Sequence, residues 1–487
     1  MNKPLRRVAT AMMAMVVLLI GNVTYMQVVR ADELANHANN KRALYDRYAT
    51  ERGQIIAGGQ SLASSVPTND NLKYLRTYSN GPAYAPITGY YSWAYGRTGL
   101  ESAKNEVLNG NAGSMAFSRL SEMFTSGDKQ GGNVQTTINP AMQRVAYQQL
   151  TSKGYQGSVV ALNPQNGDIL AMANAPSYDP NRLTSHSYDE QQEASKDLNN
   201  DAHNPRLNRA ISNVYPPGSI FKLITASAAL ETGKYNYNTQ VTAEASIPLP
   251  KTTSATLPNY GNNTCGTLPT APLWEAMARS CNTAFAEIAG DVGEQKLRET
   301  AQSFGFGKEL DIPMSVEKSS LGPIEGVPQL YQTGIGQRDV RVTPMQSAMM
   351  AAAIANDGSL MKPHLVKSTT APDRSVLETT QPQEMSRPIS PQHANTITKM
   401  MVQSEKRSSS GGKISDVQIA SKTGTAQHGS GSDPHGWYVA FAPQENPKIA
   451  VAVIVEDGGN LGASATGGKI AGPIGRSVIR AGLQGGG

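Results

Sequence analysis

Tyr215-Pro-Pro-Gly-Ser-Ile-Phe-Lys-Leu-Ile-Thr-Ala-Ser-Ala-Ala-Leu230 is the stretch on which the reading of this chain turns. Pro216-Pro-Gly218 opens a helix, the apolar run from Ser219 to Leu230 has helical character, and Gly233 closes it. On a helix Ser219 and Lys222 share one face, so a hydroxyl and an amine can meet. Ser219 also stands at the helix N-terminus, where backbone N–H groups lack intrahelical partners. A serine nucleophile needs a base within hydrogen-bond reach, and Ser-x-x-Lys can supply one. The pattern alone is weak, because it recurs at Ser126, Ser315, Ser359 and Ser410. Those four lie in polar or Gly-rich stretches. Ser219 begins an apolar helix.

Downstream lie two further short motifs, Ser280-Cys-Asn282 and Lys422-Thr-Gly-Thr425. Around them the patterning is mixed. Two apolar runs between Gly157 and Ala173, separated by Asn163-Pro-Gln-Asn-Gly167, predict a β-hairpin. Helices are expected over Ala271 to Ala289 and over Thr343 to Ala355, the latter stopped at Asn356-Asp-Gly358. Late strands are expected at Val417 to Ser421, Trp437 to Ala442 and Ile449 to Val455, with Lys422-Thr-Gly-Thr425 on the first of them. Strands at both ends with helices between predict an α+β domain whose terminal segments share one antiparallel sheet.

At 487 residues the chain exceeds one ordinary core, so two or three folded units are expected. Its net charge of +5 is spread rather than blocked, which gives no argument for nucleic acid. Val8 to Val29 carries no charge and is flanked by Lys3, Arg6 and Arg7 before it and Arg30 after it. As a helix it extends roughly 33 Å, enough for a hydrocarbon core of about 30 Å. The leading positive charges place residues 1–7 in the cytoplasm and everything after Arg30 outside it. A cleaved signal peptide is the rival, but no clean small-x-small site follows. The expected division is therefore a cytoplasmic tail at 1–7, an anchor at 8–29, a small β-rich pedestal at 30–150 and a catalytic domain at 151–487. Cys265 and Cys281 both fall in the exported part, where one disulfide is permitted. Closing a loop of about 15 residues is worth about 3 kcal/mol in the chain-entropy model. Two unrelated small apolar residues are the alternative.

Taken together, these motifs resemble those of the penicillin-binding protein and serine β-lactamase superfamily. Gly157 to Ala173, Tyr215 to Lys222, Gly334-Ile-Gly-Gln337, Val342-Thr-Pro-Met-Gln346 and Trp437-Tyr-Val-Ala-Phe-Ala-Pro443 look like landmarks of its transpeptidase domain. The anchor, with Glu51-Arg-Gly-Gln-Ile55, Gly96-Arg-Thr-Gly-Leu-Glu101 and Asn133-Val-Gln-Thr-Thr-Ile-Asn139, resembles the monofunctional class B type. An Asp-Arg-Asn run that the family carries after Ile55 is missing here.

The resemblance implies a D,D-transpeptidase that cross-links stem peptides through a serine acyl-enzyme and is inactivated by β-lactams. Ser219 would attack, Lys222 would act as base, and Ser280 would relay a proton to the leaving amine. Asn282 would hold Lys222 and the substrate amide. Lys422, Thr423 and Thr425 would bind the terminal carboxylate, with Gly424 on a strand lying close under the substrate, where a side chain would obstruct it. Backbone N–H groups of Ser219 and Thr425 would form the oxyanion hole. No metal and no cofactor is implied. The implied partners are stem peptides and their lipid-linked precursor, β-lactams, the plasma membrane and a membrane glycan polymerase, in a role in cell shape or division.

Blander readings exist. Lys222 can be a snorkelling surface lysine, Ser280 a helix N-cap, and Lys-Thr-Gly-Thr a strand end. Arg52, Glu101 and Asn133 read as structural, and His428 and His435 as surface or rim residues. A β-lactamase or D-alanyl carboxypeptidase is a second enzyme reading, but no Glu-x-x-Leu-Asn stretch lies between Ser280 and Lys422. A β-lactam-binding sensor or scaffold is a third. Gly-x-Ser-x-Gly, His-Glu-x-x-His and phosphate-loop patterns are absent.

Overall fold

The computed structural model describes residues 3–30, 48–115, 130–266, 269–408, 414, 416–429 and 431–484. Ser126 and Ser410 lie outside these residues. At the centre is a five-stranded antiparallel sheet in the order Ala420–Ala426, His435–Ala442, Ile449–Val455, Gly157–Leu162, Ile169–Ala175. The early hairpin thus pairs with the late strands, which joins the two ends of the catalytic region in one sheet.

Every residue of His435–Ala442 and Ile449–Val455 is buried, because helices cover both faces. Strand alternation divides those side chains between two cores. Val439, Phe441 and Ile454 face one core with Leu223, Ile224 and Met345. Tyr438, Val451 and Val453 face the other with Met142, Ile474 and Val478. Two-sided burial explains why these strands are continuous apolar runs in the sequence.

Three expectations change in detail. The first late strand runs Ala420–Ala426 and so begins later than Val417, carrying the whole of Lys422 to Thr425. The helix expected over Ala271 to Ala289 is two helices, Leu273–Arg279 and Asn282–Val292. They break where Ser280 takes a left-handed backbone (φ 62°) and Cys281 an extended one. Cys281 is bonded to Cys265 in the structure. The helix that carries Ser219 starts as a 3-10 turn, Gly218–Phe221, and continues as an α-helix over Lys222–Glu231.

The N-terminal module is built on a six-stranded sheet that borrows from the catalytic region. Ile55–Ala57, Gln60–Pro67, Tyr74–Tyr78 and Asn133–Thr136 are joined by Val366–Thr370 and Val376–Thr379. Val366 pairs with Thr136 and Thr370 with Asn133. A division of the chain at residue 150 is therefore crossed by a later segment. The N-terminal helix Lys3–Thr24 continues into a π-helical turn, Tyr25–Val29. Lys3–Val29 is long and apolar enough to cross a membrane, and none of it is buried against the rest of the protein.

Arg52 and Glu101, read as structural, meet in the interior of this module. Glu101 is fully buried between Arg52 (2.5 Å) and Arg76 (2.7 Å). Arg52 also donates to Asn105 and Asn109 and lies over the Tyr91 ring. Burial pushes the Glu101 carboxyl up, but Arg76 and Arg52 together hold it below its ordinary range. Glu101→Gln leaves two buried guanidinium groups without a countercharge. We expect it to lower unfolding stability by about 3–5 kcal/mol. Thermal melts of the detergent-solubilised chain measure this, and an unchanged Tm rejects the structural role.

Candidate active site

The nucleophile turn is held against the sheet from several sides. Trp437 Nε1 donates to Pro216 O at 3.0 Å, and Tyr215 and Val342 exchange backbone hydrogen bonds. Gly218 N donates to Gly336 O at 2.9 Å, and Thr225 Oγ1 to Gly334 O at 2.6 Å. Four of the landmark segments noted in the sequence thus meet here. Gly336 needs no side chain because a Cβ there would meet Gly218 O at 2.1 Å.

Gly424 has a similar reason, and it differs from the expected one. Its missing Cβ points at Pro217 O, Ile220 and Trp437, each about 3 Å away. The space it leaves is filled by the nucleophile turn rather than by substrate. Thr425 O lies 2.8 Å from where a Gly218 Cβ would stand, so this strand edge and the turn are in direct contact.

Ser219, Lys222, Ser280, Asn282 and Lys422 converge. Lys222 is fully buried, and its Nζ lies 2.7 Å from Ser280 O, 2.7 Å from Asn282 Oδ1, 3.1 Å from Ser219 Oγ and 3.3 Å from Ser280 Oγ. The snorkelling reading therefore fails. Lys422, also fully buried, donates to Ser280 Oγ at 2.8 Å and to Thr423 O at 2.9 Å. Ser280 caps the C-terminal end of Leu273–Arg279, so the N-cap reading fails too.

Burial, with a further contribution from the Lys422 charge, holds the Lys222 amine well below the ordinary lysine range. Burial also brings Lys422 down, to about 7. A neutral amine has two N–H donors and one lone pair. The two acceptors at 2.7 Å are carbonyl oxygens, which cannot donate, so they take both N–H groups. The lone pair is left for the Ser219 hydroxyl. This arrangement can deprotonate a serine.

Several supporting residues have no motif. Asn259, only 5% exposed, accepts hydrogen bonds from Asn282 N (2.7 Å) and Thr283 N (3.0 Å), capping the helix Asn282–Val292 from outside its own chain segment. Asn282 Nδ2 donates to Pro258 O, which points the amide oxygen at Lys222. Buried Glu405 joins Arg476 (2.6 Å), Ser421 (2.5 Å) and Tyr438 (3.1 Å) behind the Lys422 strand. Among the other Ser-x-x-Lys serines, Ser315 lies on a short strand while Lys318 pairs with Glu309, and Ser359 donates to Glu384.

His435 is buried at the start of its strand, not on the rim, and stacks on His428 with ring centroids 3.7 Å apart. With Asp457 they form a cluster of potential metal ligands. His435 Nδ1 already accepts a hydrogen bond from Asp457 N. His428 Nε2 lies 2.8 Å from Asp457 Oδ1, so the three residues join the ends of adjacent strands.

Comparison with known proteins gives two family matches. The penicillin binding protein transpeptidase domain matches residues 157–480, and the penicillin binding protein A dimerisation domain matches residues 52–134. The peptidoglycan D,D-transpeptidase PbpA of Mycolicibacterium smegmatis is 50% identical over 491 residues, covering 99% of each chain. The PbpA of Mycobacterium tuberculosis is 47% identical over 492 residues, covering 100% of each. The structure of penicillin-binding protein A from M. tuberculosis as a ceftriaxone acyl-enzyme complex is similar at a TM-score of 0.88 and 46% identity. It covers 90% of this chain and 100% of that one.

Two outcomes follow from the geometry. Removing the Lys422 amine takes away a charge that depresses Lys222. The acidic limb of the penicillin acylation profile in Lys422→Gln should therefore move to higher pH, and a limb that stays in place or moves down contradicts the coupling. Asn259→Ala should destabilise the fold by about 1 kcal/mol, as loss of a helix cap does, and should also slow acylation. Stopped-flow acylation rates at a temperature where the variant is fully folded separate the two effects.

Proposed function

Because this chain belongs to the penicillin-binding protein transpeptidase family, in its class B, PbpA-like branch, we propose that Ser219 is its nucleophile and Lys222 its general base. The protein is a peptidoglycan D,D-transpeptidase of the serine type, inhibited covalently by β-lactams. The observation that carries the residue assignment is the direction of the Lys222 lone pair, set by two carbonyl oxygens at 2.7 Å.

In the first half-reaction Ser219 Oγ attacks the carbonyl of the penultimate D-alanine, and its proton passes to Lys222 Nζ. Backbone N–H groups of Ser219 and Thr425 receive the oxyanion, at a site preorganised by the contact between turn and strand. Ser280 Oγ, between the two lysine amines, hands its proton to the leaving nitrogen as the C–N bond breaks and takes the proton held by Lys222, which is neutral again. In the second half-reaction an acceptor amine attacks the ester and loses a proton to Lys222, which passes it to Ser219 Oγ as the ester C–O bond breaks. Lys422 with the Thr423 and Thr425 hydroxyls holds the terminal carboxylate, and Asn282 holds the substrate amide. Lys422, near 7, gains charge when a carboxylate arrives beside it.

The same reading places Lys3–Val29 across the plasma membrane, with the catalytic domain outside the cytoplasm. Residues 30–150 then serve as a non-catalytic pedestal, residues 151–487 form the catalytic domain, and a membrane glycan polymerase supplies the strands to be joined. The length and apolar character of Lys3–Val29 support the span.

Intact-mass analysis after penicillin treatment should give one adduct per chain, with peptide mapping locating it on Ser219. Ser219→Ala should take up none, and steady-state nitrocefin hydrolysis by the unmodified chain should be slow. Label on another residue, or rapid multiple turnover, would overturn the assignment.

A further inference from the structure

A groove of about 690 Å³ opens beside the nucleophile, with Asn282 and Thr425 in its lining. Its walls are otherwise largely neutral. Gln332, Gln337 and Gln427 contribute amides and Tyr260 an exposed aromatic ring. Among the described residues Arg338 is the single charged side chain that lines it, and no carboxylate does.

Arg338 is placed with some force. Its backbone is left-handed (φ 61°), a conformation that Gly or Asn adopts more readily. The turn that carries it is anchored to the nucleophile, since Gly336 O accepts from Gly218 N and Arg341 Nη1 donates to Arg338 O at 2.6 Å. The guanidinium is not consumed by a partner of its own. Its ion-pair contact, Asp339 Oδ2, lies at 4.0 Å, the outer limit for such a pair, and the Arg338 side chain remains 40% exposed. A planar guanidinium presents a fork of donors that matches a carboxylate, and arginine is preferred where such a group must be recognised.

We propose that Arg338 is a specificity-determining residue that binds a side-chain carboxylate of the peptide strand lying in this groove, so that the enzyme selects anionic peptides over their amidated counterparts. This rests on the reading of Ser219 as nucleophile. The carboxylate can belong to the acyl donor or to the acceptor strand, and the two sources act in different half-reactions.

The test uses the full chain in detergent with two thioester donor peptides, identical except that one side chain carries a free carboxylate or a carboxamide. Mass spectrometry follows the acyl-enzyme. The unmodified chain should acylate about tenfold faster with the carboxylate donor, the size expected for one charge-assisted contact. Arg338→Gln should erase the preference, and Arg338→Lys should retain part of it, because charge remains while the fork is lost. A matched pair of acceptor amines forms the second arm. If the preference appears only there and disappears in Arg338→Gln, the carboxylate is the acceptor's. No preference in either arm, or a preference that survives in Arg338→Gln, overturns the proposal. Penicillin labelling of the unmodified chain tests Ser219 separately, so failure of that reading is distinguishable.

Discussion

Two amines are buried within reach of one hydroxyl, and among the described residues none of their hydrogen bonds goes to a carboxylate. Lys222 and Lys422 both contact Ser280, and the acceptors around them are hydroxyls, carbonyls and an amide. A cation kept from water without a countercharge is costly, and the protein relieves that cost by releasing a proton. A carboxylate beside Lys222 would favour its charged form, in which the lone pair has become a third N–H. The site therefore depends as much on the absence of an acid from its wall as on the residues that form it.

That constraint gives the surrounding structure its purpose. A neutral amine works as a base only if its lone pair is aimed, and aim requires that Ser280 O and Asn282 Oδ1 do not drift. The Cys265–Cys281 bond stands immediately beside Ser280, and Asn259 holds the first turn after it. On the opposite wall, the ion pair of Glu405 and Arg476 fixes Ser421 and Tyr438, and with them the strand that presents Lys422. Ion pairs are thus present near the two buried lysines, one layer behind them, where they stiffen the wall without contacting either amine.

What was legible in the sequence is whatever repeats or sits at a fixed short spacing. Ser219 and Lys222 share a helix face, Lys422 to Thr425 lies on a strand, and the apolar runs of the sheet announce themselves by length. Asn259, Glu405 and Arg476 were not legible, because each acts on a partner far away in the chain and leaves no period in its own neighbourhood. The break between Leu273–Arg279 and Asn282–Val292 was missed for a related reason. Apolar periodicity continues through it, and the interruption depends on the backbone of two residues, one of them tied to Cys265. Gly424 was identified correctly as a close-approach position, but the approaching backbone is the protein's own.

The borrowed strands of the N-terminal sheet bear on the order in which the molecule assembles. Strand Asn133–Thr136 lies between Ile55–Ala57 and Val366–Thr370, so one of its edges stays open until the later segment emerges from the ribosome. Domains generally fold as units while synthesis proceeds, and an exposed strand edge invites wrong pairing. The first module to leave the ribosome is thus among the last to be finished.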